Sequence, residues 1–366
     1  MIRRIAWENF DYWLLGLVAT LVIFGTAMIR SAIAGNAVLA QVPSRQLIFA
    51  AVGFVLMAGF ALMDYHHWRP LSKYLYVGTI VLLIGLKFAG ETLFGSARWF
   101  NLGPVRVQPS EFAKIVLILV QAGFLDKYQD RLQQMRWVLL SAVLTAGIVV
   151  WVLLQPDLST SVTLVVIWLA MLWVAGLRWK HIALFSALGA VAGVAGFPFL
   201  ADYQKARILN FLFPDPNARH GAIYNVLQAL TSIGSGGLFG QGYGQGPQVQ
   251  YRFLKVRHTD FIFAVIAHEL GFVGAVLTIV LLSLVIWRCL VVARRAYDTF
   301  GALIAVGVAA MLGFHMMVNI AMNLNLIPVT GLPLPFITYG GSTLLSTLMA
   351  VGLVESVALY RRPLEP

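Results

Sequence analysis

The chain has 366 residues, of which 60% are hydrophobic and only 11% charged, and it carries a formal net charge of +11. A soluble globule runs nearer to a quarter charged, so the composition excludes that class. The cation excess reads in part as membrane topology, and no nucleic acid is expected as a partner.

A bilayer core of roughly 30 Å takes about 20 apolar residues of helix. Ten runs approach that length: approximately 11–33, 46–63, 71–90, 110–125, 136–154, 159–176, 180–199, 260–290, 299–320 and 334–359. Backbone polar groups in lipid must be bonded within the segment, so each run is expected to be a helix. The expected fold is an all-α polytopic membrane protein of ten transmembrane helices. It forms a single domain over 1–366, with one large extracellular loop, 200–259, between helices 7 and 8. The first run follows Arg3 and Arg4, lacks a small-residue cleavage site and reads as an anchor. An N-in/C-in orientation places 14 of the 26 cations inside and leaves the outer turns 155–158 and 321–333 without any. The remaining outer cations gather in 87–114 and in the loop, at Lys205, Arg207, Arg219, Arg252, Lys255 and Arg257. An anionic ligand would explain them.

That topology sorts the acids. Glu8, Asp11, Asp64, Asp126, Asp130, Asp298, Glu355 and Glu365 fall at the inner face and read as solvated interface charges. Outer chemistry must draw on Glu91, Glu111, Asp157, Asp202, Asp215, Asp260 and Glu269.

In chain order, Arg98-Trp99-Phe100 with Arg106 is a basic, aromatic segment: either an interfacial belt or a phosphate holder. Glu111 and Lys114 share one helix face, with Pro109 suited to the first turn and Gln108 or Ser110 near the cap. A capping acid with a neighbouring cation is the plain reading. However, a lysine followed by Ile-Val-Leu-Ile-Leu-Val enters hydrocarbon at a cost of roughly 2.5–3.5 kcal/mol, which implies a partner or polar cavity. Asp157, in a tight turn, is expected to cap the sixth helix. Lys205 and Arg207, beside Tyr203, are surface charge by default. The run 234–246 holds seven glycines in thirteen residues, and suits either amides turned toward an anion or a flexible lid.

His258-Thr259-Asp260 places a carboxylate where the polar loop meets a long apolar helix. Asp260 is either a helix cap or, with Thr259 as the cap, free to react. His258 reads as a solvated loop histidine. Glu269 lies roughly 13 Å further along that helix and demands a satisfied environment, as a buried structural network or as support for a site. Cys289 is the only cysteine, so no disulfide or thiolate cluster can form within one chain. His268-Glu269 has Phe272 where a zinc-binding helix needs a second histidine, and no phosphate-loop or dinucleotide spacing is present. No metal ligand set is expected.

Taken together these motifs resemble the SEDS family (shape, elongation, division and sporulation), and more closely its RodA branch than its FtsW branch. The resemblance is carried by Ala97-Arg98-Trp99, Gln108-Pro-Ser-Glu111-Phe-Ala-Lys114, Gln155-Pro-Asp157-Leu158, Tyr203 to Phe211, Ala229 to Gly246, His258-Thr-Asp260-Phe, Asn319 and Pro328 to Ser342. It departs at Ser159, where Gly is common, at His268, where an acid is common, and at Thr338, where Ser is usual. The resemblance implies a peptidoglycan glycosyltransferase polymerising lipid II outside the bacterial cytoplasmic membrane. It also implies a class B penicillin-binding protein and other elongation-complex membrane proteins as partners. The family's essential acid falls on Asp260, and its paired Glu and Lys fall on Glu111 and Lys114. On this reading Asp260 is the general base, and Arg98, Lys114, Lys205 and Arg207 offset pyrophosphate charge, with Glu111 orienting Lys114. Asp157, His258, Thr259 and Glu269 support the site. No cofactor is required, with a divalent cation (Mg or Mn) on Asp260 as the alternative. Two rival functions stay open: a lipid II flippase, suggested by the intramembrane Lys87, Lys114, Glu269 and His315, and a non-enzymatic activator of a partner synthase.

Overall fold

The computed structural model describes residues 7–89, 91–93, 96–101, 106–214, 221–251, 253–254 and 257–361. Arg3, Arg4, Asp215, Arg219, Arg252, Lys255, Arg362, Glu365 and the side chains of Lys87 and Glu91 lie outside the described residues. The protein is mostly helical. Its long helices are α1 (Tyr12–Ala32), α2 (Val42–Leu62), α3 (Trp68–Ala89), α4 (Pro109–Tyr128), α5 (Met135–Leu153), α6 (Leu158–Val174) and α7 (Trp179–Gly196). They continue, after three shorter helices, with α11 (Ile262–Arg294), α12 (Thr299–Asn323) and α13 (Gly341–Leu359). Among the described residues, six helices are long and apolar enough to cross a bilayer on their own.

Local chemistry sets the ends. Asp11, Asp157 and Asp298 each cap a helix by accepting from a backbone amide three residues on, at 2.9–3.2 Å. Pro109 opens α4, where its missing N–H costs nothing. The last apolar run is helical only from Gly341, not from 334. Pro328, Pro333 and Pro335 cannot donate to a helical ladder, and this stretch instead folds back into the bundle with Leu334, Phe336 and Ile337 buried.

Two further departures concern the outer segments. The fold is not purely helical: β1 (Glu91–Leu93), β2 (Ser96–Asn101) and β3 (Arg106–Val107) form a small antiparallel sheet in that order. The loop 200–259 is also not featureless, for it carries α8 (Asp202–Leu212), α9 (Gly221–Ser235) and α10 (Pro247–Gln250).

The glycine run packs against protein rather than presenting a ligand cradle. Helix α11 breaks at Gly271, which has φ 68° and ψ −164°. The freed groups are taken up by the run's backbone. Gln241 N donates to His268 O and Gly242 N to Glu269 O, both at 3.0 Å, while Phe272 N reaches Gly237 O at 2.8 Å and Val273 N reaches Leu238 O at 3.1 Å. A Cβ at Gly271 would stand 2.3 Å from Gly240 N, so the approach excludes any side chain.

Several inner acids are bonded rather than solvated. Asp11 binds Arg288 at 2.6 Å, and its amide donates to Glu355, whose side chain is fully buried, tying α1, α11 and α13 together. Asp126 pairs with Arg69 at 2.6 Å, and Asp298 accepts from Tyr65 at 2.8 Å and meets His66 at 2.8 Å. Such ends are costly to bury unpaired, which explains why partners converge on them.

Candidate active site at the head of α11

Helix α12 packs against α4, α6, α11 and α13, and its last turn holds the candidate acid. Asn319 and Asn323 are one turn apart, so both amides face the same neighbour. Asn323 Nδ2 donates to the Asp260 carbonyl at 3.1 Å and Asn319 Nδ2 at 3.3 Å, while Asn323 Oδ1 accepts from Ala264 N at 3.1 Å. The turn before α11 is thereby fixed by its backbone, and the Asp260 side chain has no capping duty. Phe261 occupies the N-cap position with no side-chain capping bond, so neither Asp260 nor Thr259 is the cap.

The Asp260 carboxylate faces a cation across a glycine. A Cβ at Gly331, which has φ +78°, would lie 3.9 Å from Asp260 Oδ2 and 4.0 Å from Arg207 Nη1. Burial raises the Asp260 carboxyl above the usual carboxylate range, and the Arg207 charge opposes that rise. Arg207 is held by donating to Thr330 O at 3.3 Å.

Arg207 also stands over the Tyr203 ring at 5.5 Å, with Arg98 near the same ring at 5.8 Å. Arg98 donates to Gln155 O at 3.1 Å and to Pro156 O and the Tyr203 hydroxyl, and that hydroxyl bonds Pro156 O. Gln204 Nε2 adds a bond to Pro156 O at 3.0 Å. These contacts border a cleft of about 200 Å³ between the start of α6, α8 and residues 328–330. Its polar lining is Arg98, Asp157, Ser159, Tyr203, Gln204, Arg207 and Thr330. Two guanidiniums, Arg98 and Arg207, converge on this polar cleft beside the Asp157 carboxylate.

Asp157 is the helix cap expected of it. It caps α6, accepts from Thr160 Oγ1 at 2.9 Å, and lines the cleft. Glu111 and Lys114 are elsewhere. Lys114 Nζ lies 2.9 Å from both Glu111 oxygens, Ser346 donates to Glu111 at 3.2 Å, and His315 Nε2 is 3.4 Å from the ammonium. Both side chains are buried within the bundle and neither lines the cleft. Glu111 thus serves the lysine, not a cap. Gln108, at the N-cap of α4, reaches Asp157 at 3.4 Å and Ser110 at 3.1 Å, and so links this helix to the cleft.

Lys205 is half-buried on α8 but lines no part of the cleft. Glu269 is satisfied by the Ser31 hydroxyl at 2.5 and 2.7 Å, which is the structural network expected of it. His258 is not solvated. It is half-buried beside Tyr339 at 6.1 Å, and its carbonyl accepts from Tyr339 N at 3.2 Å. Burial and the adjacent Arg257 charge lower the pKa of its imidazole. Thr259 sits in the same turn, half-buried. Among the described residues, no three His, Cys, Asp or Glu side chains converge as a metal site. Asp260 alone, facing a guanidinium, is a poor fit for a divalent cation.

Sequence reasoning passed over Asn323, Gly331, Gln204 and Thr330. Only the Asn319/Asn323 spacing carried a readable signal, two amides one turn apart at the end of an apolar helix.

Helices of this length, apolar on most faces and enclosing buried ion pairs, define a polytopic helical membrane protein. The FtsW/RodA/SpoVE family, described as cell cycle proteins, matches residues 9–363, and the chain belongs to it. The peptidoglycan glycosyltransferase MrdB of Escherichia coli (strain K12) is 35% identical over 365 residues, covering 99% of this chain and 97% of its own. The stage V sporulation protein E of Bacillus subtilis (strain 168) is 38% identical over 325 residues, 87% of each chain. Among solved structures, a chain from a study of the structural coordination of polymerization and crosslinking by a peptidoglycan synthase complex superposes with TM-score 0.82. It shows 31% identity and covers 96% of this chain and 98% of that one. The Rod shape determining protein RodA of Thermus thermophilus superposes with TM-score 0.74 and 32% identity, over 97% of this chain and 99% of that one.

Proposed function

We propose that this chain is a peptidoglycan glycosyltransferase that polymerises lipid II into β-1,4-linked strands at the outer face of the bacterial cytoplasmic membrane during elongation. The observation that carries the reading is the Asp260 carboxylate facing Arg207 across Gly331, beside a cleft lined by a second guanidinium, Arg98. Relatives named as peptidoglycan glycosyltransferases support it.

In this mechanism Asp260 takes the proton from the 4-hydroxyl of the acceptor sugar. The oxygen attacks C1 of the donor from the face opposite the pyrophosphate, the C1–O bond to phosphate breaks, and configuration inverts. Pyrophosphate leaves as a weak base, so its charge needs cations rather than a proton donor. Arg98 and Arg207 supply them. The raised carboxyl of Asp260 makes it a better base than a solvated aspartate, provided it remains ionised. Glu111 and Lys114 brace α4, whose N-cap Gln108 reaches Asp157 in the cleft wall, and the Asn319/Asn323 pair holds the Asp260 backbone. The turn of His258 and Thr259 and the Glu269–Ser31 bond steady the head of α11. No step is assigned to a metal ion, because among the described residues no companion ligands stand beside Asp260.

The topology that goes with this reading is ten spans, both termini inside and residues 200–259 outside, in one domain over 1–366. The partners are a class B penicillin-binding transpeptidase and other elongation-complex membrane proteins. The test is a purified polymerisation assay on lipid II, with and without the transpeptidase. The parent should form glycan and Asp260→Asn none, at equal expression; polymer from the variant sinks the assignment. Product from lipid II supplied in detergent also separates synthesis from transport, since a flippase forms no glycosidic bond.

A further inference from the structure

Arg207 belongs to two clefts, and the second differs in kind from the first. On its other side α8, α9 and residues 325–329 line a second cleft, narrow and open to the surface. The walls there are hydrocarbon: Phe211, Pro214, Ile223, Val226, Leu227 and Val329. Asn210 and Asn325 are the other polar side chains of the lining. The end of α8 next to it leaves Leu212 58% and Phe213 77% exposed, bare apolar surface of the kind that meets lipid. Arg207, Pro328 and Val329 are common to both clefts.

The order across the molecule is therefore a polar cleft with Arg98, Asp157, three hydroxyls and one amide, then a shared guanidinium, then a hydrocarbon trough opening beside exposed apolar residues. A lipid-linked sugar has that sequence of parts: a sugar, a phosphate or pyrophosphate, and a hydrocarbon chain. Resting on the glycosyltransferase reading above, we propose that the α8–α9 cleft binds the first isoprene units of the lipid-linked donor. Arg207 holds the pyrophosphate at the seam, and the sugar lies in the Tyr203 cleft. This gives Arg207 a double duty, since the same guanidinium faces the Asp260 carboxylate. The donor's C1, one bond from the phosphate, is then delivered beside the base. The arrangement also ties chain recognition to catalysis: a donor whose isoprenoid is out of the trough cannot keep its phosphate on Arg207.

The experiment is photo-crosslinking of the full-length protein in detergent with a benzophenone-bearing farnesyl pyrophosphate. Label should fall on the peptide spanning 221–235. Unlabelled farnesyl pyrophosphate should compete at least about tenfold better than either farnesol or inorganic pyrophosphate, because each of these forfeits one half of the contact. Val226→Trp, which fills the trough, should cut labelling by about tenfold, equivalent to losing burial of about two methylenes. Arg207→Gln should erase the advantage of farnesyl pyrophosphate over farnesol. Label confined to other helices, equal competition by farnesol on the unmodified protein, or full labelling of Val226→Trp would overturn the proposal. The competition arm needs no variant, so a misfolded substitution does not decide the matter. Labelling requires no glycosyl transfer, so the two readings fail separately. A protein that labels at 221–235 but makes no polymer refutes the activity. One that polymerises yet labels elsewhere refutes the trough.

Discussion

Removing Lys114 from its pair tests whether the bundle beneath the cleft depends on a buried charge balance. The ammonium is 2.9 Å from both oxygens of Glu111, and the side chains are 1% and 4% exposed. At an effective dielectric of about 20, charges that close attract by about 6 kcal/mol before desolvation is subtracted. Lys114→Met removes the attraction and leaves a buried carboxylate facing Ser346. Breaking such a pair from one side costs about 3–5 kcal/mol. Replacing both partners, Glu111→Leu with Lys114→Met, removes the orphan as well and should return stability to within about 2 kcal/mol of the parent. The assay is unfolding in detergent for parent, both single variants and the double variant, read as a double-mutant cycle. The double variant should be more stable than Lys114→Met alone. If Lys114→Met unfolds like the parent, or if the two losses simply add, the pair carries no coupling energy and the argument fails.

Asn323→Leu removes the 3.1 Å bond to the Asp260 carbonyl and should lower polymerisation rate while costing about 1–3 kcal/mol of stability; an unaffected rate would show that the turn is held elsewhere. Gly331→Ala puts a Cβ between Asp260 and Arg207 at φ +78°, with strain of about 1–2 kcal/mol, and should reduce turnover more than it reduces the unfolding temperature. The His66–Asp298 contact predicts a pH response. Asp298 chiefly holds the His66 pKa above the 6.5 of a free imidazole, so that contribution is complete below 6.5 and is lost as pH rises through the raised value. Against the cost of burial, Asp298 is held below the usual aspartate 3.8 mainly by His66; its share is present above 3.8 and is lost as pH falls through the lowered value. Stability in detergent should decline as pH rises above 6.5, and His66→Gln should flatten that decline. Chelation of divalent cations should leave polymerisation intact; a full loss restored by magnesium or manganese would put a metal on Asp260.

The membrane class and most helix positions were legible because apolar runs of bilayer length admit one secondary structure. What escaped was wherever tertiary contact outweighs local pattern. The apolar stretch from 334 reads as helix by composition, yet its prolines force an irregular segment that packs inward. Asp11 and Glu355 look like solvated charges from their place in the chain, and only the meeting of α1, α11 and α13 makes them buried partners. In the site, Asp260 and Arg207 were each readable as residues worth testing. Their meeting across Gly331 was not, since 53, 71 and 124 residues of chain separate the three pairwise. The glycine run was misjudged for a related reason. A run rich in glycine suits close approach, but nothing in its own composition says whether ligand or backbone makes that approach.

The break at Gly271 has a mechanical consequence. Four main-chain bonds stitch the loop 237–242 across the discontinuity, so the loop grips the helix on both sides of the gap. The upper piece, with Asp260 just before it, is thus tied to the shaft through the loop as well as through the chain. The loop splints the gap, so the acid keeps its place although the rod beneath it is interrupted.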